Sequence, residues 1–187
     1  MIKKTLAILA GGKSSRMNYN NKALLLYKEK TFIENIINAG KDFDEIIIIA
    51  NKEDDYKNLN LKIYGDIFIG NGPLAGIHSA LKNSRNNKVL CIACDMPLVS
   101  SKTLSLIGSI EDEHEVLVPR IDDKLQPMCA IYSKSLIPRI EKALVNGENK
   151  LQRFIISTNY KVLENELPKI DFSNINTKKE YELLEEV

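Results

Sequence analysis

Cysteine, histidine and net charge are all scarce in this chain of 187 residues, and each scarcity removes a class of function. Three cysteines, Cys91, Cys94 and Cys129, are too few and odd in number for a disulfide scaffold, so a reducing cytoplasm is the expected compartment. Cys91 and Cys94 form a C-x-x-C, but three positions apart on a strand they face opposite sides, which excludes a shared zinc ion or redox pair and predicts core roles. Two histidines, His78 in a helical pattern and His114 in the run EDEHE, occupy no arrangement suited to metal ligation or nucleophilic catalysis. The 26 basic and 25 acidic residues leave a formal charge of +1. No electrostatic grip on nucleic acid or a membrane surface is expected, and a small-molecule partner is. No segment approaches the roughly 20 apolar residues of a membrane helix. The opening MIKKTLAILAGG is too short for a signal peptide and runs into glycines rather than a cleavage site. Without repeats, low-complexity tracts or linkers, residues 1–187 are expected to form one domain.

What is present is an alternation of short β-branched runs with helical-period stretches, the pattern of βα units feeding a mostly parallel sheet. Strands are predicted near Thr5–Leu9, Glu45–Ala50, Leu61–Tyr64, Lys88–Ala93, Glu115–Val118 and Leu125–Tyr132, with an edge strand at Lys161–Leu163. In TFIENIINAGK, Phe32, Ile33, Ile36 and Ile37 share one helical face and Gly40 is placed to end the helix. Leu74–Leu81 follows Pro73, suited to a first turn, and Ser101–Ile110 opens on capping chemistry. Lys134–Val145 has helical spacing that Asn146 and Gly147 end, and Lys178–Val187 reads as an acidic surface helix packed by Tyr181 and Leu184.

The stretch LAGGKSSRM, residues 9–17, follows the first strand with two glycines, two hydroxyls and two cations. Such a turn brings backbone N–H groups against phosphate oxygens. A Walker A loop would need glycine where Ala7 stands, and adjacent Gly11 and Gly12 break the dinucleotide fingerprint. A phosphate cradle of another type and a structural tight turn both remain open on residue chemistry. Lys22, across the bend NYNNK, reads either as a mobile phosphate ligand or as a solvated surface group. In CIACDMP, Asp95 ends a buried strand, where open α/β sheets carry ligands, so it is placed to hold a magnesium ion or merely to cap a turn. GNGPLAG, residues 70–76, approaches a helix amino terminus, and Asp66 adds a carboxylate to the same edge. NINTKKE, residues 174–180, is by itself a capping signal centred on Thr177.

In that order and over nearly the whole chain, LAGGKSSRM with Lys22, GPLAG, CDMPLVS, GENKLQRF and NINTKKE resemble the molybdenum cofactor guanylyltransferase family. The resemblance implies a three-layer α/β, Rossmann-like nucleotidyltransferase fold that uses GTP and Mg2+ to attach GMP to molybdopterin cofactor, with pyrophosphate released. Carried over by position, Leu9, Ala10 and Gly11 would contact the nucleotide, while Gly12 and Arg16 would frame its phosphates. Lys22 would bind phosphate, Asp66 would contact the nucleotide, Asp95 would hold the metal, and Asn176 would help to hold it. The opening LAGG is similar to the guanylyl branch, where cytidylyl members tend to read LAAG. The resemblance also implies a monomer or weak oligomer in transient contact with cofactor-delivering proteins or molybdoenzymes.

Three positions depart from the family pattern. Asn18 stands for a usual glycine, Asn21 for an aspartate before the lysine, and Gln126-Pro127 for a His-Pro pair. Asparagine tolerates left-handed backbone more readily than other non-glycine residues, which makes Asn18 a mild change. The competing readings are a sibling transferase using CTP or acting on another phosphorylated metabolite, and a non-catalytic nucleotide-binding homologue.

Overall fold

The structure is a computed structural model that describes residues 1–11, 21–164 and 166–185. Ten strands occur among these residues, β1 Ile2–Leu9, β2 Leu26–Tyr27, β3 Lys30–Thr31, β4 Phe43–Ile49, β5 Lys62–Tyr64, β6 Lys88–Ala93, β7 Val116–Ile121, β8 Lys124–Leu125, β9 Cys129–Ser133 and β10 Tyr160–Leu163. Six α-helices accompany them, α1 Phe32–Ala39, α2 Gly72–Asn83, α3 Ser101–Ser109, α4 Ile137–Val145, α5 Leu151–Ile156 and α6 Lys178–Glu185.

The main sheet runs β5-β4-β1-β6-β9-β7-β10, with β8 hairpinned onto β7. β9 alone in that row is antiparallel to its neighbours. The chain steps outward from β1 to β4 and β5, then returns to place β6 on the other side of β1. That reversal opens a crevice at the carboxyl ends of β1 and β6, where open α/β sheets bind ligands.

Side-chain alternation along the strands builds a core on each face of the sheet. Leu6 and Ile8 of β1 point toward α1 and α3, joining Ile33, Ile36, Leu104 and Ile107. Ala7 and Leu9 point the other way, joining Leu74 and Ile77 of α2, Ile140 and Leu144 of α4, and Phe154 of α5. The result is the expected three-layer α/β arrangement. Cys91 lies in the second of these cores and Cys94 packs against the first, on opposite faces as their spacing requires.

Local chemistry sets the helix ends. Thr31 and Glu34 form a reciprocal capping box at α1, and the Ser100 hydroxyl accepts the Thr103 N–H at the start of α3. Gly40 ends α1 where a Cβ would come within 2.1 Å of Leu6 Cδ2, and Leu6 is fully buried. Gly40→Ala is therefore expected to lower stability by about 1–3 kcal/mol, read as a shifted urea midpoint at unchanged slope.

One expectation needs correction, and two features were not anticipated. Leu125–Tyr132 is not one strand: β8 ends at Leu125, β9 begins at Cys129, and Gln126–Met128 turn between them. The hairpins β2–β3 and β7–β8 turn at Lys28-Glu29 and Asp122-Asp123, all four with positive φ. This is the paired left-handed geometry of a type I′ turn, built without the glycine that signals it in sequence. The GENKLQRF segment also contributes a helix, α5, whose Leu151, Phe154 and Ile155 are buried.

Candidate active site

The last residues of β1 stand between two neighbouring strand ends. Ala10 N–H donates to the Ile49 carbonyl of β4 at 2.9 Å, and Cys94 N–H after β6 donates to the Leu9 carbonyl at 3.1 Å. Leu9, Ala10 and Gly11 thus occupy the middle of the crevice, and a group gathers on each side of them. Gly12 and Arg16, and with them Asn18, lie outside the described residues.

On the β4 side stands Asp66. Its Oδ2 accepts from Asn51 Nδ2 at 3.1 Å, while its own N–H donates to Asn51 Oδ1 at 2.8 Å. A Cβ on Gly11 would lie 3.5 Å from Asp66 Oδ2, and one on Gly76 would lie 3.8 Å from Asp66 Oδ1. Gly11 of LAGG and Gly76 of GPLAG therefore line the carboxylate closely. Asp66 Oδ1 is buried with no hydrogen-bond partner among the described residues. Burial raises the Asp66 pKa, and the Asn51 amide partly offsets it.

On the β6 side stand Lys22, Asp95 and Asn176, far apart in sequence. Lys22 begins a short 3-10 helix, and its Nζ donates to Asn176 Oδ1 at 2.8 Å. The segment carrying Asn176 is tied to the Asp95 backbone by Ile175 N–H to the Asp95 carbonyl at 2.9 Å. It is fixed from the far side by a small apolar cluster of Leu25, Phe32, Ile175 and Leu184, with the Tyr181 hydroxyl donating to the Leu26 carbonyl at 2.9 Å. The expected cap at Thr177 is present, since its Oγ1 accepts from Glu180 N–H and Glu180 accepts from the Asn176 and Thr177 amides.

Asp95 Oδ1, like Asp66 Oδ1, is buried and has no partner among the described residues. Burial pushes the Asp95 pKa up, and the Lys22 ammonium pulls it partly back. Among the described residues no group of three or more His, Cys, Asp or Glu could hold a metal. One carboxylate oxygen and one amide oxygen nevertheless suit a hard cation of the kind that keeps waters and takes its other ligands from substrate phosphates.

Both histidines lie apart from this crevice. His78 is buried on α2, with Nε2 3.0 Å from Glu141 of α4, and His114 Nδ1 sits 2.7 Å from Asp112. Asn51 is the site residue that sequence reasoning missed. Its signal was its place two residues past the carboxyl end of β4, on the ligand edge of the sheet.

With this geometry in view, comparison with known proteins decides the family: residues 6–162 match the model of the MobA-like NTP transferase domain. The chain belongs to that family. A Clostridium perfringens relative, named probable molybdenum cofactor guanylyltransferase, is 49% identical over 97% of this chain and 96% of its own length. A Desulfosudis oleivorans relative, named molybdenum cofactor guanylyltransferase, is 34% identical over 95% of this chain and 92% of its own. Among solved structures, the molybdopterin-guanine dinucleotide biosynthesis protein A of Archaeoglobus fulgidus superposes with a TM-score of 0.79 at 25% identity, covering 97% of each chain. This MobA-like chain is thus a nucleotidyltransferase by family, with its fold shared end to end. No helix among its described residues is long and apolar enough to cross a membrane.

Proposed function

We propose that this chain transfers GMP from GTP to molybdopterin cofactor, forming the guanine dinucleotide and releasing pyrophosphate in the cytoplasm. One observation carries the reading: two carboxylates, each with a buried and unpartnered oxygen, flank the glycine-lined end of β1. Asp66 Oδ1 is an acceptor suited to the donor edge of guanine, and Asp95 Oδ1 is suited to a cation beside the phosphates. The relatives' names, at high identity over the full length, support the same substrates.

In this reading Leu9, Ala10, Gly11 and Gly12 border the nucleotide, Lys22 and Arg16 neutralise its phosphates, and Asp95 with Asn176 would hold Mg2+. When bound, Mg2+ supplies charge neutralisation on the phosphate oxygens. The bond that forms joins the terminal phosphate oxygen of molybdopterin to the α-phosphorus of GTP, and the bond that breaks releases pyrophosphate. A phosphate monoester is largely ionised at pH 7, since its second pKa is about 6, so no general base is needed. The remoteness of both histidines is consistent with that chemistry. The chain's work is in-line positioning and cancellation of charge.

The test is pyrophosphate release with GTP, CTP, ATP or UTP, with and without molybdopterin cofactor and Mg2+. Turnover is expected with GTP only, and only when acceptor and metal are both present. Turnover with CTP instead would establish the sibling transferase, and GTP binding without turnover would establish a non-catalytic homologue. Asp66→Ala is expected to weaken GTP by about tenfold or more and to narrow its advantage over the other nucleotides, because a buried acceptor for base donors is lost. Unchanged selectivity would remove Asp66 from base recognition.

A further inference from the structure

Asn21, immediately before Lys22, is bonded on every polar atom of its side chain. Its Oδ1 accepts the Ala23 N–H at 3.1 Å, which caps the 3-10 helix containing Lys22. A backbone N–H can only donate, so this contact fixes which amide atom is which. It leaves Nδ2 facing Asp55 Oδ2 at 2.9 Å and the Tyr56 hydroxyl at 2.8 Å. The Tyr56 hydroxyl in turn donates to Asn21 Oδ1 at 3.0 Å, and Tyr56 is 1% exposed. Tyr56 therefore cannot turn away without opening the core around it.

Asp55 and Tyr56 belong to the connection between β4 and β5, the same connection that carries Asn51 to Asp66. The start of this connection reaches the Asp66 side of the crevice and its middle grips the residue before Lys22. We propose that Asn21 is a positioning residue for Lys22, anchored by Asp55 and Tyr56, and that a neutral amide is required there because Asp55 already supplies the carboxylate. An aspartate at position 21 could still cap Ala23 N–H, but it would set a second carboxylate within hydrogen-bond distance of Asp55. Two carboxylates so placed repel, and where the one at position 21 swings away, the cap on Ala23 N–H that holds the 3-10 turn of Lys22 is lost. The proposal rests on the reading of Lys22 as a phosphate ligand.

The experiment compares wild type, Asn21→Asp, Asp55→Asn and the double variant by calorimetric nucleotide binding with Mg2+ and by thermal melting, each with GTP, CTP, ATP and UTP. Asn21→Asp is expected to bind the preferred nucleotide about tenfold more weakly, the loss from displacing one charged phosphate contact. In the double variant the two groups are exchanged: an amide at position 55 can donate to a carboxylate at position 21 and restore the anchor. Its affinity is expected to return to within about threefold of wild type. Asp55→Asn alone keeps an acceptor for Asn21 and is expected to bind within about threefold of wild type. Affinity for Asn21→Asp equal to wild type overturns the proposal. So does a double variant as weak as Asn21→Asp, or a fall in melting temperature with affinity unchanged, which marks a merely structural cap. A wild type that prefers a nucleotide other than GTP overturns the guanylyl reading while leaving the anchor judged on that nucleotide. A wild type that binds none of the four overturns both.

Discussion

Asp95→Ala is expected to cut nucleotidyl transfer by about 10²-fold or more, the scale of losing one preorganised electrostatic stabiliser. The residue is well suited to a clean test because truncating its carboxylate is expected to change stability little, loss of the Lys22 attraction being offset by relief of the burial penalty. Asp95 Oδ1 is buried without a partner, and a buried polar atom left unsatisfied destabilises the native state. The contact that ties Asp95 to the carboxy-terminal segment is made by its backbone carbonyl with Ile175, which alanine retains. Melting temperature is therefore expected to stay level or rise while turnover collapses. Divalent-ion dependence measured alongside should weaken in the same variant. Near-normal turnover in Asp95→Ala would sink the metal assignment.

Lys22→Ala is expected to lower turnover by a similar factor, about 10². Lys22 is a described cation beside Asp95, held by Asn176 Oδ1 at 2.8 Å, and its charge partly offsets the rise that burial imposes on the Asp95 pKa. Removing it takes away a positive charge that the triphosphate would meet, and it frees Asn176 from its present hydrogen bond. Lys22→Arg should recover only part of the activity, because a planar guanidinium fork does not reproduce a compact ammonium on a flexible stem. Full activity in Lys22→Ala would show that the cations of the LAGGKSSRM stretch suffice without it. Full recovery in the arginine variant would show that charge alone matters.

Taken with Asp66→Ala, these two substitutions separate the two sides of the crevice. Both act on the phosphate side, whereas Asp66→Ala acts on the other, where Asn51 holds one carboxylate oxygen and leaves its mate free. Loss of turnover without loss of nucleotide choice is expected from the first pair. Loss of choice is expected from the last.

Short apolar, β-branched runs and period-3.6 patterning were enough to locate β1, β4, β6, α1, α3 and α4, because these strands bury side chains in both cores and these helices bury a stripe in one. The hairpins β2–β3 and β7–β8 were not legible, since their turns use Lys-Glu and Asp-Asp at left-handed positions that ordinarily call for asparagine or glycine. Helix α5 was hidden by its length: six residues carry too little periodicity to announce a helix, and packing of Leu151 and Phe154 makes it one.

By itself the sequence determined most segments of the main sheet, the strand-end positions of Asp66 and Asp95, and five motifs in family order, because these depend on neighbours a few residues away. Only the tertiary structure decided that Lys22 meets Asn176, that Asn51 holds Asp66, and that Asn21 is anchored by Asp55 and Tyr56. Those contacts span 154, 15, 34 and 35 positions of the chain. No local pattern encodes them. They follow from parallel strands delivering their carboxyl ends to one edge, and from an apolar cluster pinning the last helix against Leu25 and the start of α1.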